Sequence, residues 1–244
     1  MAEKESELGL SICIPVFNEE GNIPVIVDRI MKVMKNIPGY SYEIVVVDDC
    51  STDRSWQVML ETKQKCPFLR CLQFEENSGE SAAEDAALKS SGGRVLMTID
   101  ADLENDPADI PAFLEKIREF DCVCGTRVGM RKDGFIKNIS SRVANKVRNS
   151  ILKDEITDAG CTYRAFKKEC FESILMYNGF HRFLPTLFKM EGFSVIEIPV
   201  KHAKRLHGES KYGVWNRVFK SFLDMLAVRW MKKRKLLYRI KQEK

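Results

Sequence analysis

Five short apolar runs, each ending in polar or acidic residues and each but the last followed by a helix-like segment, constrain this chain most. Leu10 to Val16, Tyr42 to Val47, Leu69 to Phe74, Val95 to Ile99 and Cys122 to Gly125 read as strands. Asn22 to Met34, Ser51 to about Lys65, Ser81 to Lys89 and Pro107 to about Phe120 read as helices. Their start and stop signals agree: Asn22 as an N-cap with Pro24 in the first turn, Ser51-Thr52-Asp53 opening the second helix, Gly92-Gly93 ending the third and Pro107 opening the fourth. Such alternation predicts an α/β fold, a mostly parallel sheet covered by helices. Right-handed crossovers would place all the strand C-termini on one rim. That rim collects Pro15 to Glu19, Asp48-Asp49, Asn77 to Glu80, Asp100 to Glu104 and Gly125 to Arg127. Open α/β sheets bind their ligands there.

Asp100-Ala101-Asp102 is the sharpest chemical signal on that rim. Two carboxylates one residue apart can hold a divalent cation whose remaining positions go to phosphate oxygens and water. An enzyme handling a nucleotide diphosphate needs that arrangement. The alternative is two solvated acids that open a loop. Neither the Gly-x-Gly-x-x-Gly pattern nor the Walker phosphate loop occurs, which removes the main support for a nicotinamide or flavin dinucleotide.

The second half is less regular. Phe135 to Leu152 reads as an amphipathic helix rich in Arg and Asn, and Thr157 to Phe166 as a strand. Lys167 to Leu175 and Arg182 to Met190 read as helices, and Phe193 to Val200 as a strand. His202 to Tyr212 is a basic, glycine-containing loop before a long helix. With no repeat or low-complexity linker, the expected organisation is one domain over residues 1–212 and a basic amphipathic helix over 213–244.

The 244 residues, 44% of them hydrophobic, can bury a substantial core. The net charge of +4 is a property of the tail: from Phe219 to Lys244 nine Lys/Arg face two acids, so the rest of the chain is net acidic. A basic tail without interleaved base-stacking aromatics argues against nucleic acid as a partner. None of the eight cysteines forms a Cys-x-x-Cys pair and no secretory signal precedes them, so reduced, packing thiols in a cytoplasmic protein are expected. No run approaches the roughly 18 apolar residues of a membrane span.

Four spaced motifs together resemble glycosyltransferase family 2. They are Ile14-Pro15-Val16-Phe17-Asn18-Glu19-Glu20, Val47-Asp48-Asp49-Cys50-Ser51-Thr52-Asp53, Asp100-Ala101-Asp102-Leu103 and Gly208-Glu209-Ser210-Lys211-Tyr212. The last is similar to the loop of the polyprenyl-phosphate mannose and glucose synthases. The resemblance covers roughly residues 8 to 230. It implies a GT-A type, Rossmann-like fold and inverting transfer of a hexose from a nucleotide-diphosphate sugar, of the GDP-mannose or UDP-glucose type, to a polyprenyl phosphate. It places Pro15, Phe17, Glu19, Val47 and Asp49 around base and ribose, with Asp100 and Ala101 completing the donor site. Phe17 stands where relatives commonly carry Tyr, so it keeps stacking and loses a hydroxyl. Asp102 falls on the main ligand of Mg²⁺ or Mn²⁺, and Glu104, where relatives often carry Gln, adds an oxygen ligand. Arg127, Arg142, Arg205, Ser210 and Lys211 match positions that hold phosphate; Arg suits bidentate contact and Lys a point charge. Asp158 matches an acid near the sugar, so Asp102, Asp158 and Arg127 form the expected catalytic set.

Relatives in this family often continue into transmembrane helices. Here Phe222 to Ile240 instead sets Leu223, Leu226, Ala227, Trp230, Leu237 and Tyr238 among Lys232-Lys233-Arg234-Lys235. That composition suits a helix lying on anionic lipid at the inner membrane face, or else a packed helix with a solvated basic end. A membrane-protein partner or a second copy are further expected contacts. Competing readings are a family 2 enzyme with a saccharide or protein acceptor, and a non-catalytic subunit that binds nucleotide sugar.

Overall fold

The structure, a computed structural model, describes residues 9–37, 39–127, 145–203, 214–236, 238 and 242, and only the backbone over 214–219. Seven strands form one sheet in the order β3-β2-β1-β4-β6-β5-β7. They are β1 (Leu10–Val16), β2 (Tyr42–Asp48), β3 (Leu69–Gln73), β4 (Val95–Thr98), β5 (Cys122–Thr126), β6 (Arg164–Lys167) and β7 (Val195–Pro199). The central strand β1 pairs in parallel with β2 on one side and β4 on the other. It is almost wholly buried because helices cover both faces.

Side-chain alternation along β1 divides the core. Ile12 and Ile14 point to one face, against Ile23, Ile26 and Ile30 of α1 (Ile23–Met34), Met59 of α2 (Ser55–Lys63) and Phe113 of α4 (Ile110–Lys116). Cys13 points to the other face, with Ala83, Ala87 and Leu88 of α3 (Glu80–Ser90), Phe171 of α6 (Lys168–Glu172) and Phe188 of α7 (Leu184–Glu191). The apolar spacing of α1 at Ile23, Ile26, Val27, Ile30 and Met34 is the stripe an amphipathic helix must bury. All eight cysteines are free and six are buried.

Two sequence expectations are corrected. Residues 157–163 do not extend a strand; only Arg164–Lys167 joins the sheet. The backbone N–H groups of Thr157 and Asp158 donate to the Glu197 carboxylate, and Cys161 N–H closes a turn on Asp158 O at 3.1 Å, so this backbone is satisfied outside the ladder. The five strands expected from the first half, β1 to β5, do end on one rim. β6 is antiparallel to β4 and β5, while β5 and β7 run together, so β6 alone runs against the rest. It therefore presents its N-terminal end, with residues 157–163, to the rim where the other strands finish. The segment after Pro107 begins as a 3₁₀ turn, Pro107–Asp109, and is α-helical only to Lys116.

Residues 145–152 are helical (α5). The long α8 (Val214–Arg234) buries Met225 and Val228 against Leu152, Phe180, Phe183 and Leu187. Arg229 donates to Ile151 O at 2.7 Å and Lys232 Nζ to Leu152 O at 2.8 Å, which ties α8 to the end of α5. Phe222, Leu223, Leu226 and Trp230 remain exposed along the helix. Among the described residues no helix is long and apolar enough to cross a membrane.

Candidate active site

The rim is organised by backbone turns that follow β1, β2 and β4. Each contains a non-glycine residue at positive φ: Asn18 at 57°, Cys50 at 57° and Leu103 at 62°. A buried, branched residue such as Leu103 takes that conformation only where surrounding contacts hold it, and such strain concentrates at functional sites. At Asn18 the turn aims Oδ1 at the N–H of Thr52, 2.7 Å away, while Asn18 N–H donates to Ser51 Oγ at 2.9 Å. Glu19 N–H donates to Ser55 Oγ at 2.8 Å, so the loops after β1 and β2 form one stitched unit. The Glu19 carboxylate accepts from Asn22 Nδ2. Pro15 and Phe17 are half-buried on this unit, and Val47 and Ala101 are buried beneath it.

The two acids after β2 turn to different partners. Asp48 accepts from Ser51 N–H at 3.2 Å and from Gln73 Nε2 at 3.1 Å. Asp49, only 3% exposed, accepts from Asn77 Nδ2, Ser78 N–H and Gly79 N–H at 2.7–2.9 Å. Gly79, at φ 90°, lets the chain turn into α3 there. Asp49 thus fixes the start of α3 against the end of β2.

Asp100 and Asp102 follow β4 as the sequence places them. Asp100 accepts a hydrogen bond from Thr162 Oγ1 at 2.5 Å, across from the turn before β6. Burial, then the charges of Asp102 and Glu80, push the Asp100 carboxyl up to about 7, against the pull of Thr162 and Arg127. Asp102 is buried and accepts from Glu104 N–H at 3.0 Å, closing the loop on itself. Among the described residues no three His, Cys, Asp or Glu side chains form a ready ligand set. The residues nevertheless suit a hard divalent cation: crowded carboxylates push one another toward protonation, a cation relieves that, and Mg²⁺ bound with substrate phosphates needs only one or two of them.

Arg127 and Asp158 meet across the gap between β5 and the turn before β6. The guanidinium donates through Nε and Nη2 to both carboxylate oxygens at 2.9 and 3.0 Å, and Arg127 N–H donates to the same carboxylate at 3.0 Å. Burial opposes the arginine's charge, but Asp158 outweighs it and holds the guanidinium well above its ordinary range. Gly160 leaves the room, since a Cβ there would come within 3.2 Å of Arg127 Nη2. Glu197 of β7 holds the backbone of Thr157 and Asp158 from below. Two expected site residues are therefore brought together as a bidentate pair. Arg142, Arg205, Ser210 and Lys211 lie outside the described residues.

Other groups at the rim were not singled out by the sequence reading. Glu80 opens α3, His181 lies in the 3₁₀ turn before α7, and Thr162 and Glu197 brace Asp100 and Asp158. The segment Asn77 to Glu80 belonged to the expected rim, but nothing local marked His181, which is 100 positions from its partner Ser81.

Comparison with known proteins agrees with this geometry. The chain is 34% identical over 227 residues to the dodecaprenyl-phosphate galacturonate synthase of Rhizobium johnstonii, spanning 91% of this chain and 66% of that protein. It is 34% identical over 207 residues to the undecaprenyl-phosphate 4-deoxy-4-formamido-L-arabinose transferase of Edwardsiella ictaluri, spanning 84% of this chain and 63% of that protein. The chain thus spans less than two thirds of the length of these relatives. The fold matches glucosyl-3-phosphoglycerate synthase of Mycobacterium tuberculosis, solved with Mn²⁺ and UDP-glucose, at a TM-score of 0.69 and 17% identity over 94% of this chain and 83% of that one. It also matches the mannosyltransferase PcManGT of Pyrobaculum calidifontis, solved with GDP-mannose and Mn²⁺, at a TM-score of 0.65 and 19% identity over 89% and 63% of the two chains. The sequence model described as Glycosyl transferase family 2 matches residues 11–175, and with the sheet order and rim above the chain belongs to that family, built on the GT-A fold.

Proposed function

We propose that this chain transfers a hexose, with inversion, from a nucleotide-diphosphate sugar of the GDP-mannose or UDP-glucose type to a polyprenyl phosphate at the cytoplasmic membrane face. The observation that carries the reading is the half-buried Asp100 and buried Asp102 after β4, on the same rim as the Arg127–Asp158 pair. The names of the two bacterial relatives, both polyprenyl-phosphate sugar enzymes, support the acceptor class.

Asp102 and Glu104 would hold a divalent cation, Mg²⁺ or Mn²⁺, which supplies charge neutralisation of the diphosphate as it leaves. Pro15, Phe17, Glu19, Val47, Asp49, Asp100 and Ala101 shape the donor side. A lipid phosphate is already an anion at neutral pH and attacks the anomeric carbon directly, so the site needs cations to hold it more than a base to activate it. Asp158 fits that economy: its carboxylate is committed to Arg127 and holds the guanidinium in one orientation for a phosphate oxygen. Arg142, Arg205, Ser210 and Lys211 complete the acceptor contacts. The exposed Phe222, Leu223, Leu226 and Trp230 of α8, beside Lys232, Lys233 and Arg234, lie on anionic lipid.

The test is incubation of the full chain with a panel of nucleotide sugars, Mg²⁺ or Mn²⁺, and short polyprenyl phosphates, with products read by mass. A glycosyl phospholipid product that disappears with chelator is expected. Transfer only to saccharides or proteins, or none, overturns the reading.

A further inference from the structure

Glu197 stands where packing alone would place an apolar side chain. It lies on β7, at the edge of the sheet, in register with Cys124 of β5. Alternation sends its neighbours Ile196 and Ile198 to the face covered by α1 and α4, and Glu197 with Val195 to the opposite face. Val195 joins the apolar cluster there, under α3 and α7. Glu197 is half-buried and directs its carboxylate at one short stretch of backbone. Thr157 N–H donates to both oxygens, at 3.0 and 2.9 Å, and Thr157 Oγ1 to Oε2 at 2.9 Å. Asp158 N–H donates to Oε1 at 3.1 Å.

These contacts fix the residue that holds Arg127. The Asp158 carboxylate accepts from the Arg127 N–H, Nε and Nη2. Asp158 is only 6% exposed, and a backbone N–H left there without an acceptor costs free energy that the turn would rotate to recover. The carbonyls before it have their own donors: Ile156 O accepts from Asn149 Nδ2 at 2.9 Å, and Thr157 O from Asn145 Nδ2 at 2.6 Å. Loss of the Glu197 carboxylate therefore leaves the segment docked on α5 and frees Asp158 to turn.

The other end of the same turn is held separately. Thr162 donates through Oγ1 to Asp100 Oδ2 at 2.5 Å, and its carbonyl accepts from Thr98 Oγ1 at 2.5 Å. The turn thus touches the proposed donor side through Thr162 and the proposed acceptor side through Asp158, with a different anchor for each. Resting on the acceptor reading above, we propose that Glu197 is a positioning residue for the acceptor phosphate: it acts through the backbone of Asp158 to fix the Arg127 guanidinium and leaves the donor side unaffected.

The experiment uses the full chain with Mn²⁺, farnesyl phosphate and the nucleotide sugar that wild type turns over, with initial rates measured as each substrate is varied. Glu197→Ala is expected to raise KM for farnesyl phosphate about tenfold, with KM for the nucleotide sugar within about twofold of wild type. Glu197→Gln keeps the length and a carbonyl oxygen for Asp158 N–H, and is expected to bring the acceptor KM back to within about threefold of wild type. Glu197→Asp keeps the charge but withdraws it by one methylene; it is expected to behave as the alanine variant does, and carries the test if that variant does not fold. In an Asp158→Ala background, Glu197→Ala is expected to add less than about twofold, because the residue it acts through is gone. Equal rises in both KM values, a full-sized rise in the Asp158→Ala background, or an acceptor KM unchanged in Glu197→Ala and Glu197→Asp overturns the inference while leaving the acceptor reading intact. Wild type that gives no product from farnesyl phosphate with any nucleotide sugar overturns the acceptor reading and the inference with it.

Discussion

The two halves of the sheet are held together by different physics. From β1 to β4 the strands are parallel, the core is aliphatic, and buried acids are satisfied mostly by backbone N–H groups and short polar side chains. Glu43 shows this: it accepts from Ser11 Oγ and Gly92 N–H at 2.7 Å each, with Arg70 completing the set. From β5 to α8 the elements are tied by charged pairs, some local and some across long stretches of chain. Arg148 of α5 meets Asp154 at 3.2 Å; Thr186 of α7 donates to the same carboxylate, and Lys189 approaches it at 3.5 Å. Arg182 meets Asp224 of α8 at 3.4 Å, and Lys235 meets Glu191 at 2.8 Å. The first half is thus a rigid platform for the proposed donor. The second is an assembly of ion pairs around the proposed acceptor side, and its stability depends on each charge keeping its partner.

The sharpest way to break this comparison is to remove a charge from the platform that serves chemistry alone. Asp102→Asn is expected to cut transfer by more than about 100-fold, the scale of losing one preorganised charge-stabilising group. Its thermal unfolding should stay close to wild type, because Asn keeps an oxygen that can accept from Glu104 N–H within the same loop. Near-normal turnover in a chelator-sensitive assay would remove it from the cation site.

In the second half the same kind of change should cost stability instead. Asp154→Asn leaves Arg148 buried without its counter-charge, and a loss of about 3 kcal/mol in denaturant unfolding is expected. Burial raises the Asp154 carboxyl, but Thr186, Arg148 and Lys189 outweigh it and hold it below its ordinary value. Its contribution is therefore present above the unfolded value and is lost as pH falls through the folded one. The gap between wild type and Asp154→Asn should close in acid.

Glu84, on α3 under the platform, should behave with the opposite sign. It is 2% exposed, Oε1 has no hydrogen-bond partner, and burial raises its carboxyl to about 8 against the pull of Arg164. Between its ordinary value of 4.5 and about 8 the folded chain holds a proton that the unfolded chain has released, so stability falls as pH rises through that window. Glu84→Gln should gain on wild type by about 5 kcal/mol as pH passes from below to above that range, read as diverging melting temperatures. Parallel melting curves would show that Glu84 titrates normally.

The smallest expected effect is on α8. Trp230 is 63% exposed while Val228 is fully buried, so truncation of the helix would confuse docking with surface contact. Trp230→Ala leaves the buried face untouched and should weaken sedimentation with anionic vesicles about fivefold, more so at high salt. Unchanged sedimentation would leave the exposed stripe to a protein partner.

What the sequence alone determined is concentrated in the platform. The run Leu10 to Val16 is β1 residue for residue, α1 begins one residue after its expected N-cap Asn22, and Asp49, Asp100 and Asp102 sit on the rim that βαβ alternation requires. Periodicity and capping report burial within one element, and a parallel βαβ unit leaves little else to choose. The tertiary structure alone decided that β6 runs backward, that Thr157 and Asp158 donate their backbone N–H groups to the Glu197 carboxylate, and that Asp158 pairs with Arg127. It also decided that His181 reaches Ser81 and Glu80, and that α8 buries Met225 and Val228 while leaving Trp230 outside. These outcomes depend on which distant groups share a low-dielectric space. Strand direction and charge pairing are settled by partners tens of residues away, and no local pattern of apolar and polar residues encodes them.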